Sequence, residues 1–293
     1  MIARSILSPT TGFIAEAGFT HSLTPARNCT FGCTYCYVPT LGIYGGLKPD
    51  DWRRWGQFTT FKDNAAELLA RELGSHQTIY CSPLVDPYQP AEVERRLMPQ
   101  ILEAVAANPP HVFVIQTRGP LILRDVDLLK KIPRLRVSFS ITTNREEVRR
   151  MYEPHCAPIP ERLEAIRVLR AAGVETYATL APLLPCDPEE LAALAIEASG
   201  RDLIGDPLHV RATKRHGATT REAAFRISEV QGHGEWLDAA FQAEAVERIA
   251  SAARKLGFGF DTGPRGFAKL VDSSTYESNP ESDSRRRLRR AVD

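Results

Sequence analysis

Apolar residues recur along the chain in two alternating patterns. Short runs rich in β-branched or aromatic residues predict strands, and most are followed by segments with apolar residues three or four positions apart, which predict helices. Val137–Ile141 carries no charge, as expected of a strand covered on both faces. The predicted strands are Phe19–Leu23, Thr78–Cys81, His111–Gln116, Leu135–Ile141, Val174–Leu180 and Leu208–Ala212.

The helical segments carry start and stop signals. Leu163, Ile166 and Leu169 recur at helical spacing, and Gly173 follows them as a signal for a helix C-terminus. Pro188 predicts the first turn of another helix, because the N–H that proline lacks is not needed there. Similar apolar stripes predict three further helices, around Ala65–Leu69, Met98–Val105 and Val246–Leu256.

Six strand–helix units in alternation predict an α/β fold with a parallel sheet and right-handed crossovers. Such a sheet is either an open doubly wound sheet or a partial or full (β/α) barrel. In both, the active site lies at the C-terminal ends of the strands. Because no linker rich in Gly, Ser or Pro interrupts the pattern, we expect one domain over residues 1–275, followed by a disordered Arg-rich tail over 276–293.

Composition and charge narrow the class of protein. The chain has 293 residues and a net charge of +1, and because its tail carries five arginines and four acidic residues, the remaining body is neutral. A protein that binds duplex DNA through its phosphates would show a basic excess, so net charge does not support a nucleic-acid partner. No apolar run reaches the roughly 18–20 residues that span a bilayer, which predicts a cytoplasmic protein with no membrane partner.

A local cationic group lies near the predicted sixth strand. It could bind an anionic substrate, including a nucleic-acid phosphate, or it could be an ordinary exposed loop. Its members are His209, Arg211, Lys214, Arg215 and His216.

Three of the six cysteines crowd into eight positions. Cys29, Cys33 and Cys36 have the spacing C-x₃-C-x₂-C and follow the first predicted strand, on a loop at the catalytic end. Soft thiolates suit iron–sulfur chemistry, and three of them can ligate three irons of a cubane. A structural zinc site needs four protein ligands, whereas a cubane with three leaves one iron open for a small molecule.

Other interpretations of this cysteine cluster remain. Zinc could be completed by His21 or a distant cysteine, and an electron-transfer cluster could recruit Cys81 as its fourth ligand. The three thiols could also be buried together without a ligand. Cys156 and Cys186 lie near predicted strand ends or loops, and no motif assigns them a role.

The cysteine motif, with an aromatic residue before its last cysteine, resembles the signature of the radical S-adenosylmethionine (radical SAM) superfamily. Further segments resemble its spore photoproduct lyase-related (SplB-like) branch, between about residue 20 and residue 185, so the last third is unmatched. These segments are Cys36–Tyr37, Asp86–Pro90, Thr117–Asp125, Val137–Thr142, Glu153–Pro154, Arg162–Leu163 and Ala172–Gly173.

The resemblance implies a fold, two cofactors and a reaction. The fold is a partial (β/α)₆ barrel similar to a TIM barrel. The cofactors are a [4Fe–4S] cluster and S-adenosylmethionine, whose amino and carboxylate groups bind the open iron. An electron from the cluster breaks the S–C5′ bond, and the resulting 5′-deoxyadenosyl radical abstracts a substrate hydrogen. An electron donor such as flavodoxin or ferredoxin is the implied partner.

The resemblance also implies cofactor-binding residues. Arg118 stands where related sequences place a cation near the methionyl carboxylate, although a solvated loop arginine is the alternative. Ser138 and Ser140 share one face of the fourth strand and could bond the ribose or simply line a polar interior. Ser82 and Asp86 stand where the family contacts the methionyl amino group, although the Gly-Gly-Glu often found there is missing.

Three residues are candidates for catalysis. Tyr35 matches the aromatic position beside the adenine, and Tyr37 follows the last ligand; either could instead pack over the cluster and exclude water. Cys81 ends the second strand, in the neighbourhood where spore photoproduct lyase has a cysteine that returns a hydrogen atom to the product radical. The alternative for Cys81 is a buried strand cysteine that behaves as a small hydrophobe.

The substrate stays open at this point. A lyase or repair enzyme acting on a DNA photoproduct follows by analogy with the branch, and such analogy is a weak guide to substrate. The alternatives are an enzyme that modifies a peptide, RNA or small metabolite, and a non-catalytic iron–sulfur or zinc protein.

Overall fold

The structure is a computed structural model that describes residues 1–41, 54–209 and 220–272. Its strands are β1 (Leu7–Pro9), β2 (His21–Leu23), β3 (Ala26–Arg27), β4 (Thr60–Phe61), β5 (Thr78–Cys81), β6 (Val112–Thr117), β7 (Leu135–Ser140), β8 (Glu175–Leu183), β9 (Leu203–Pro207) and β10 (Phe260–Thr262). The predicted Arg-rich tail lies outside the described residues.

The helices follow most strands of the sheet. They are α1 (Gly12–Glu16), α2 (Ala65–Glu72), α3 (Glu92–Arg95), α4 (Leu97–Ala107), α5 (Val126–Leu129), α6 (Glu146–Tyr152), α7 (Ile159–Ala171), α8 (Pro188–Ser199), α9 (Glu222–Val230), α10 (Ala239–Lys255) and α11 (Gly263–Ala268). Short 3₁₀ helices cover Val38–Leu41, Pro120–Asp125 and Gly234–Leu237. Among these helices, none in the described ranges is long and apolar enough to cross a membrane.

The main sheet confirms the α/β prediction. Within the described residues it has eight strands in the order β1-β2-β5-β6-β7-β8-β9-β10. The strands from β2 onward pair in parallel, and β1 is antiparallel to β2. Their order follows the chain without reversal, whereas a doubly wound sheet reverses at its switch point. This order favours the barrel-like alternative.

The predicted position of the sixth strand is wrong. The strand is Leu203–Pro207, while Leu208 and His209 lie outside any strand and the rest of the predicted run is not among the described residues. Gly205, Asp206 and Pro207 are poor strand formers, but pairing with β8 and β10 on either side holds the segment in the sheet.

The two faces of the sheet bury different cores. One face packs against the large helices, and its residues include Ile79, Cys81, Phe113 and Val137. The opposite face carries Tyr80, Val112, Val114, Tyr177 and Ile204, which pack with residues of α11 and the segment after α1. Because side chains alternate along a strand, Tyr80 and Cys81 lie on opposite faces.

Gly205 in strand β9 has no room for a side chain, so its substitution should destabilise the fold. A Cβ on Gly205 would lie 2.5 Å from a ring carbon of Phe260 and 3.2 Å from the carbonyl oxygen of Leu180. Gly205→Ala should therefore lower the free energy of unfolding by about 1–3 kcal/mol through overpacking, measured by urea titration. Gly234→Ala, with no atom within 4 Å of its added methyl, is the control. Equal stability of the two variants would contradict this strand assignment.

Candidate functional site

The three clustered cysteines lie on a loop that follows β2 and the short strand β3, at the C-terminal edge of the main sheet. Cys29 and Cys33 are buried, and Cys36 is half-buried. All six cysteines fall in the described part of the chain and carry free thiols. The loop therefore presents three unpaired sulfurs within eight positions, on the edge where the sequence predicts the site.

Backbone geometry holds this cysteine loop in place. Asn28 has a φ of 62°, and its Oδ1 accepts hydrogen bonds from the Cys29 and Gly56 backbone N–H groups at 2.8 and 3.3 Å. Gly32 has a φ of 61°, and a Cβ on Gly56 would lie 2.7 Å from Gly32 Cα. The segment around residue 56 thus packs directly on the loop, and glycine is needed on both sides of this contact.

Burial keeps two of the thiols protonated. It raises the pKa of Cys36 to about 12 and raises the pKa of Cys29 well above its usual range, although backbone amides of Phe31 and Asp86 act against this. The pKa of Cys33 is lowered by a hydrogen bond from Cys156 and by the charge of Arg118. Three thiols of this kind fit an iron–sulfur cluster, because iron binding replaces their protons.

Behind the loop lies a buried ion cluster. Glu153 is fully buried between two arginines: its Oε1 accepts from Arg118 Nη1, and its Oε2 accepts from Arg162 Nη1 at 2.5 Å. Tyr35 Oη and Thr142 Oγ1 also donate to Oε1, at 2.5 and 2.9 Å. Burial alone would raise the pKa of Glu153, but Arg162 and Arg118 lower it to about 2. The carboxylate is therefore charged and fully satisfied.

Arg118 connects this ion cluster to the cysteine loop. It follows β6, and its Nη1 contacts Tyr35 Oη and Glu153 and lies 3.6 Å from Cys33 Sγ. These contacts all use Nη1, and the side chain is 13% exposed. Because a guanidinium carries five N–H donors, the same residue can also bind a carboxylate.

Asp86 holds the loop after β5 against the end of β6. Its carboxylate accepts from Thr117 Oγ1 at 2.7 Å, from the Arg118 N–H at 2.8 Å and from the Tyr88 N–H at 2.9 Å. Burial raises the pKa of Asp86. These bonds give Asp86 a structural role, and its contact with a cofactor stays a prediction.

The predicted serines differ in their partners. Ser138 Oγ lies 2.6 Å from Thr179 Oγ1 of the neighbouring strand β8. Ser82 and Ser140 are buried, and within the described ranges neither hydroxyl has a hydrogen-bond partner. Unsatisfied buried hydroxyls are costly, so those of Ser82 and Ser140, which lie just after β5 and at the end of β7, are suited to receive a polar ligand.

The other candidates are placed as follows. Tyr37 donates to the Pro83 carbonyl at 2.8 Å, which ties the cysteine loop to the loop after β5. Cys81 is fully buried among the residues that pack against the helices, so packing accounts for it and its role as a hydrogen donor stays a prediction. His209 pairs with Asp206 at 2.7 Å, and the other members of the cationic group lie outside the described residues.

Sequence reasoning missed three residues of the site. Glu153 and Arg162 were part of the resemblance without a role, and Cys156 had no motif. Cys156 Sγ lies 4.0 Å from Cys33 Sγ. Opposite charges 9 positions apart, which no local pattern links, form the pair between Glu153 and Arg162. The available signal was helical spacing, because Arg162 shares the buried face of α7 with Ile166 and Leu169.

Comparison with known proteins identifies relatives of this arrangement. The family model "Radical SAM superfamily" matches residues 23–195. An uncharacterized protein of Methanocaldococcus jannaschii is 27% identical over 157 residues, which is 54% of this chain and 58% of that protein. An uncharacterized protein of Mycobacterium tuberculosis is 27% identical over 272 residues, which covers 85% of this chain and 78% of that protein. The chain thus spans less than two thirds of the first relative.

Solved structures show the same fold. Spore photoproduct lyase complexed with dinucleoside spore photoproduct has a TM-score of 0.56 at 15% identity, covering 89% of this chain and 81% of that one. SuiB from Streptococcus suis bound to S-adenosylmethionine has a TM-score of 0.51 at 14% identity, covering 82% and 46%. At this identity the likeness establishes the fold, which confirms the predicted partial barrel.

The buried ion cluster predicts a pH-dependent stability. Because the folded pKa of Glu153 is about 2 and its unfolded pKa is about 4.3, ionised Glu153 stabilises the fold above about pH 5, and the contribution is lost as pH falls towards 2. In metal-free protein, Glu153→Gln should lower the free energy of unfolding by about 3–5 kcal/mol at pH 7.

The difference from wild type should shrink steadily below pH 5, as measured by denaturant titration across pH. Glu189→Gln removes an exposed partner of Arg248 and should change stability by less than about 1 kcal/mol. A Glu153→Gln effect that is small, or that does not depend on pH, would contradict the assigned charge.

Proposed function

The chain belongs to the radical SAM superfamily, and we propose that Cys29, Cys33 and Cys36 hold the [4Fe–4S] cluster with which it cleaves S-adenosylmethionine. The cluster and S-adenosylmethionine are the cofactors of this family. When reduced, the cluster supplies the electron that splits S-adenosylmethionine into methionine and a 5′-deoxyadenosyl radical, which then takes a hydrogen atom from the substrate. The observation that carries the proposal is the set of three free thiols on one loop at the catalytic edge of the sheet.

The other residues of the site bind and orient the nucleoside cofactor. Ser82 and Ser140 offer hydroxyls without partners among the described residues, and Arg118 offers the N–H groups that Glu153 does not use. We assign the serines to polar groups of S-adenosylmethionine and Arg118 to its carboxylate. Glu153 and Arg162 hold Arg118 at a fixed position, which limits the orientations of the bound carboxylate.

Apolar packing keeps water out of the site. Phe31, Val38, Val85, Leu184 and Leu208 are buried in the same group as Cys29 and Cys33. A reactive radical must be separated from solvent and from competing groups, which is the protein's main contribution in cofactor chemistry. Tyr35 belongs to this packing and, through Glu153, to the ion cluster.

Two substrate classes are supported by different observations. The shared fold with spore photoproduct lyase favours a lesion in nucleic acid, with a lyase-type reaction. The alternative class is a peptide, RNA or small metabolite, and the neutral body of the chain favours the members of this class that bind without extensive phosphate contacts. A flavodoxin or ferredoxin supplies the electron in either case.

The cofactor proposal predicts iron and a defined product. Anaerobic reconstitution should load about four irons and four sulfides per chain, and dithionite with S-adenosylmethionine should then yield 5′-deoxyadenosine, detected by mass spectrometry. Cys29→Ala, Cys33→Ala and Cys36→Ala should each abolish the product, because the cluster loses a ligand. Cys186→Ala, a buried cysteine away from this group, is the matched control. Wild-type protein that loads no cluster would refute the proposal.

The substrate classes are separated by hydrogen transfer. Dinucleoside photoproduct, peptides and metabolite pools labelled with deuterium are incubated with loaded enzyme, and label in 5′-deoxyadenosine is sought. Transfer from the photoproduct supports the lesion class, and transfer only from the other compounds excludes it.

Cys81→Ala should leave cofactor cleavage intact and change how the product radical is quenched; loss of cleavage would instead mark Cys81 as structural or a ligand.

A further inference from the structure

Cys156 lies beside one of the proposed cluster ligands. Its Sγ is 4.0 Å from Cys33 Sγ, a distance at which a thiol donates a hydrogen bond to another sulfur. Cys156 is 5% exposed and follows α6 after a short turn. Its N–H donates to the Glu153 carbonyl at 3.1 Å, and its carbonyl accepts from Arg149 Nη1 at 3.1 Å. The backbone therefore fixes the position of this thiol.

A second metal site does not explain this pair of thiols. Sulfurs of Cys33 and Cys156 and a carboxylate oxygen of Glu153 lie within 4.8 Å of one another. However, Arg118 and Arg162 already occupy both oxygens of Glu153. A cation at this point would also lie next to the Arg118 guanidinium, which itself is 3.6 Å from Cys33 Sγ. The surroundings of Cys33 Sγ thus supply hydrogen-bond donors and positive charge.

We propose that Cys156 is a positioning residue whose S–H donates a hydrogen bond to the Cys33 thiolate and thereby raises the reduction potential of the cluster. This inference rests on the proposed function. Reduction adds one negative charge to the cluster and its thiolates, so a donor to a ligand sulfur stabilises the reduced state more than the oxidised state. A thiol is a weak donor, but the low dielectric of a buried site strengthens its effect.

The position of the donor relative to Arg118 matters. Arg118 also contacts Cys33, but it is shared with Glu153 and Tyr35, whereas the Cys156 thiol lies at hydrogen-bonding distance from Cys33 Sγ. Removing Cys156 should therefore affect the cluster through Cys33 and leave the ion cluster of Glu153 in place. The loss of Cys156 should change the reduction potential of the cluster and leave the number of bound irons unchanged.

The test measures the midpoint potential of the reconstituted enzyme, followed by the EPR signal of the reduced cluster. Cys156→Ala and Cys156→Val both remove the donor, and valine keeps the site filled against water. In each variant the equilibrium constant for one-electron reduction should fall by about three- to tenfold, and tenfold corresponds to about 59 mV. Cys186→Ala should leave the potential unchanged.

A second measurement compares the wild type with Cys156→Val. In D₂O, electron–nuclear double resonance of the reduced wild-type cluster should show exchangeable deuterons from Cys156 and from Arg118, which both contact Cys33 Sγ. Cys156→Val should lose one of these couplings and keep those of Arg118. An unchanged or raised potential in either variant, or a set of deuteron couplings in Cys156→Val identical to that of the wild type, overturns the proposal. Loss of iron from both variants also overturns it, since Cys156 would then be a ligand. Wild-type protein without a cluster refutes the proposed function itself.

Discussion

The site depends on one buried carboxylate held between two arginines. Glu153 is fully buried, and Arg118 and Arg162 both donate to it. Removing the carboxylate or an arginine would leave a buried charge without a partner. The free-energy cost of that unpaired charge is much larger than the net stabilisation that the intact pair provides. The arrangement joins the end of β6, the segment after α6 and helix α7, which approach from different parts of the chain. The ion cluster therefore fixes these three segments relative to one another at the C-terminal edge of the sheet.

The cysteine loop is held in place by hydrogen bonds on two sides, and the first set involves the ion cluster. Tyr35, between the second and third cysteines, donates to Glu153, and the Thr34 N–H donates to the Tyr152 carbonyl at 2.9 Å. On its other side the loop contacts the loop after β5, where Thr30 N–H donates to Gln89 Oε1 at 2.7 Å. Three sulfurs are thus held on a short loop whose neighbours come from separate strand ends, which is how a barrel-type fold assembles a site.

The cysteine cluster and most strands could be predicted from the sequence because their signals are local, and the cysteines' role as ligands stays a proposal. Three cysteines in eight positions and uncharged runs such as Val137–Ile141 can be recognised without any distant contact. The sixth strand failed because Leu203–Pro207 has weak strand propensity and is held by its neighbours on both sides. Glu153, Arg162 and Cys156 were not assigned roles, since their partners lie 9, 35 and 123 positions away, beyond any local sequence pattern. Ser82 and Ser140 were proposed from position alone, and only the structure distinguished them from Ser138, which has a partner.

Three cysteine ligands would leave one iron of the cluster open for S-adenosylmethionine. Mössbauer spectroscopy of protein reconstituted with ⁵⁷Fe examines this ligand set, because the four irons can be distinguished before and after the cofactor is added. We expect a [4Fe–4S] spectrum in which S-adenosylmethionine changes the signal of one iron and leaves the other three unchanged. Four irons that do not respond to S-adenosylmethionine, or a spectrum without a cubane, would rule out a cluster held by three cysteines with one open iron.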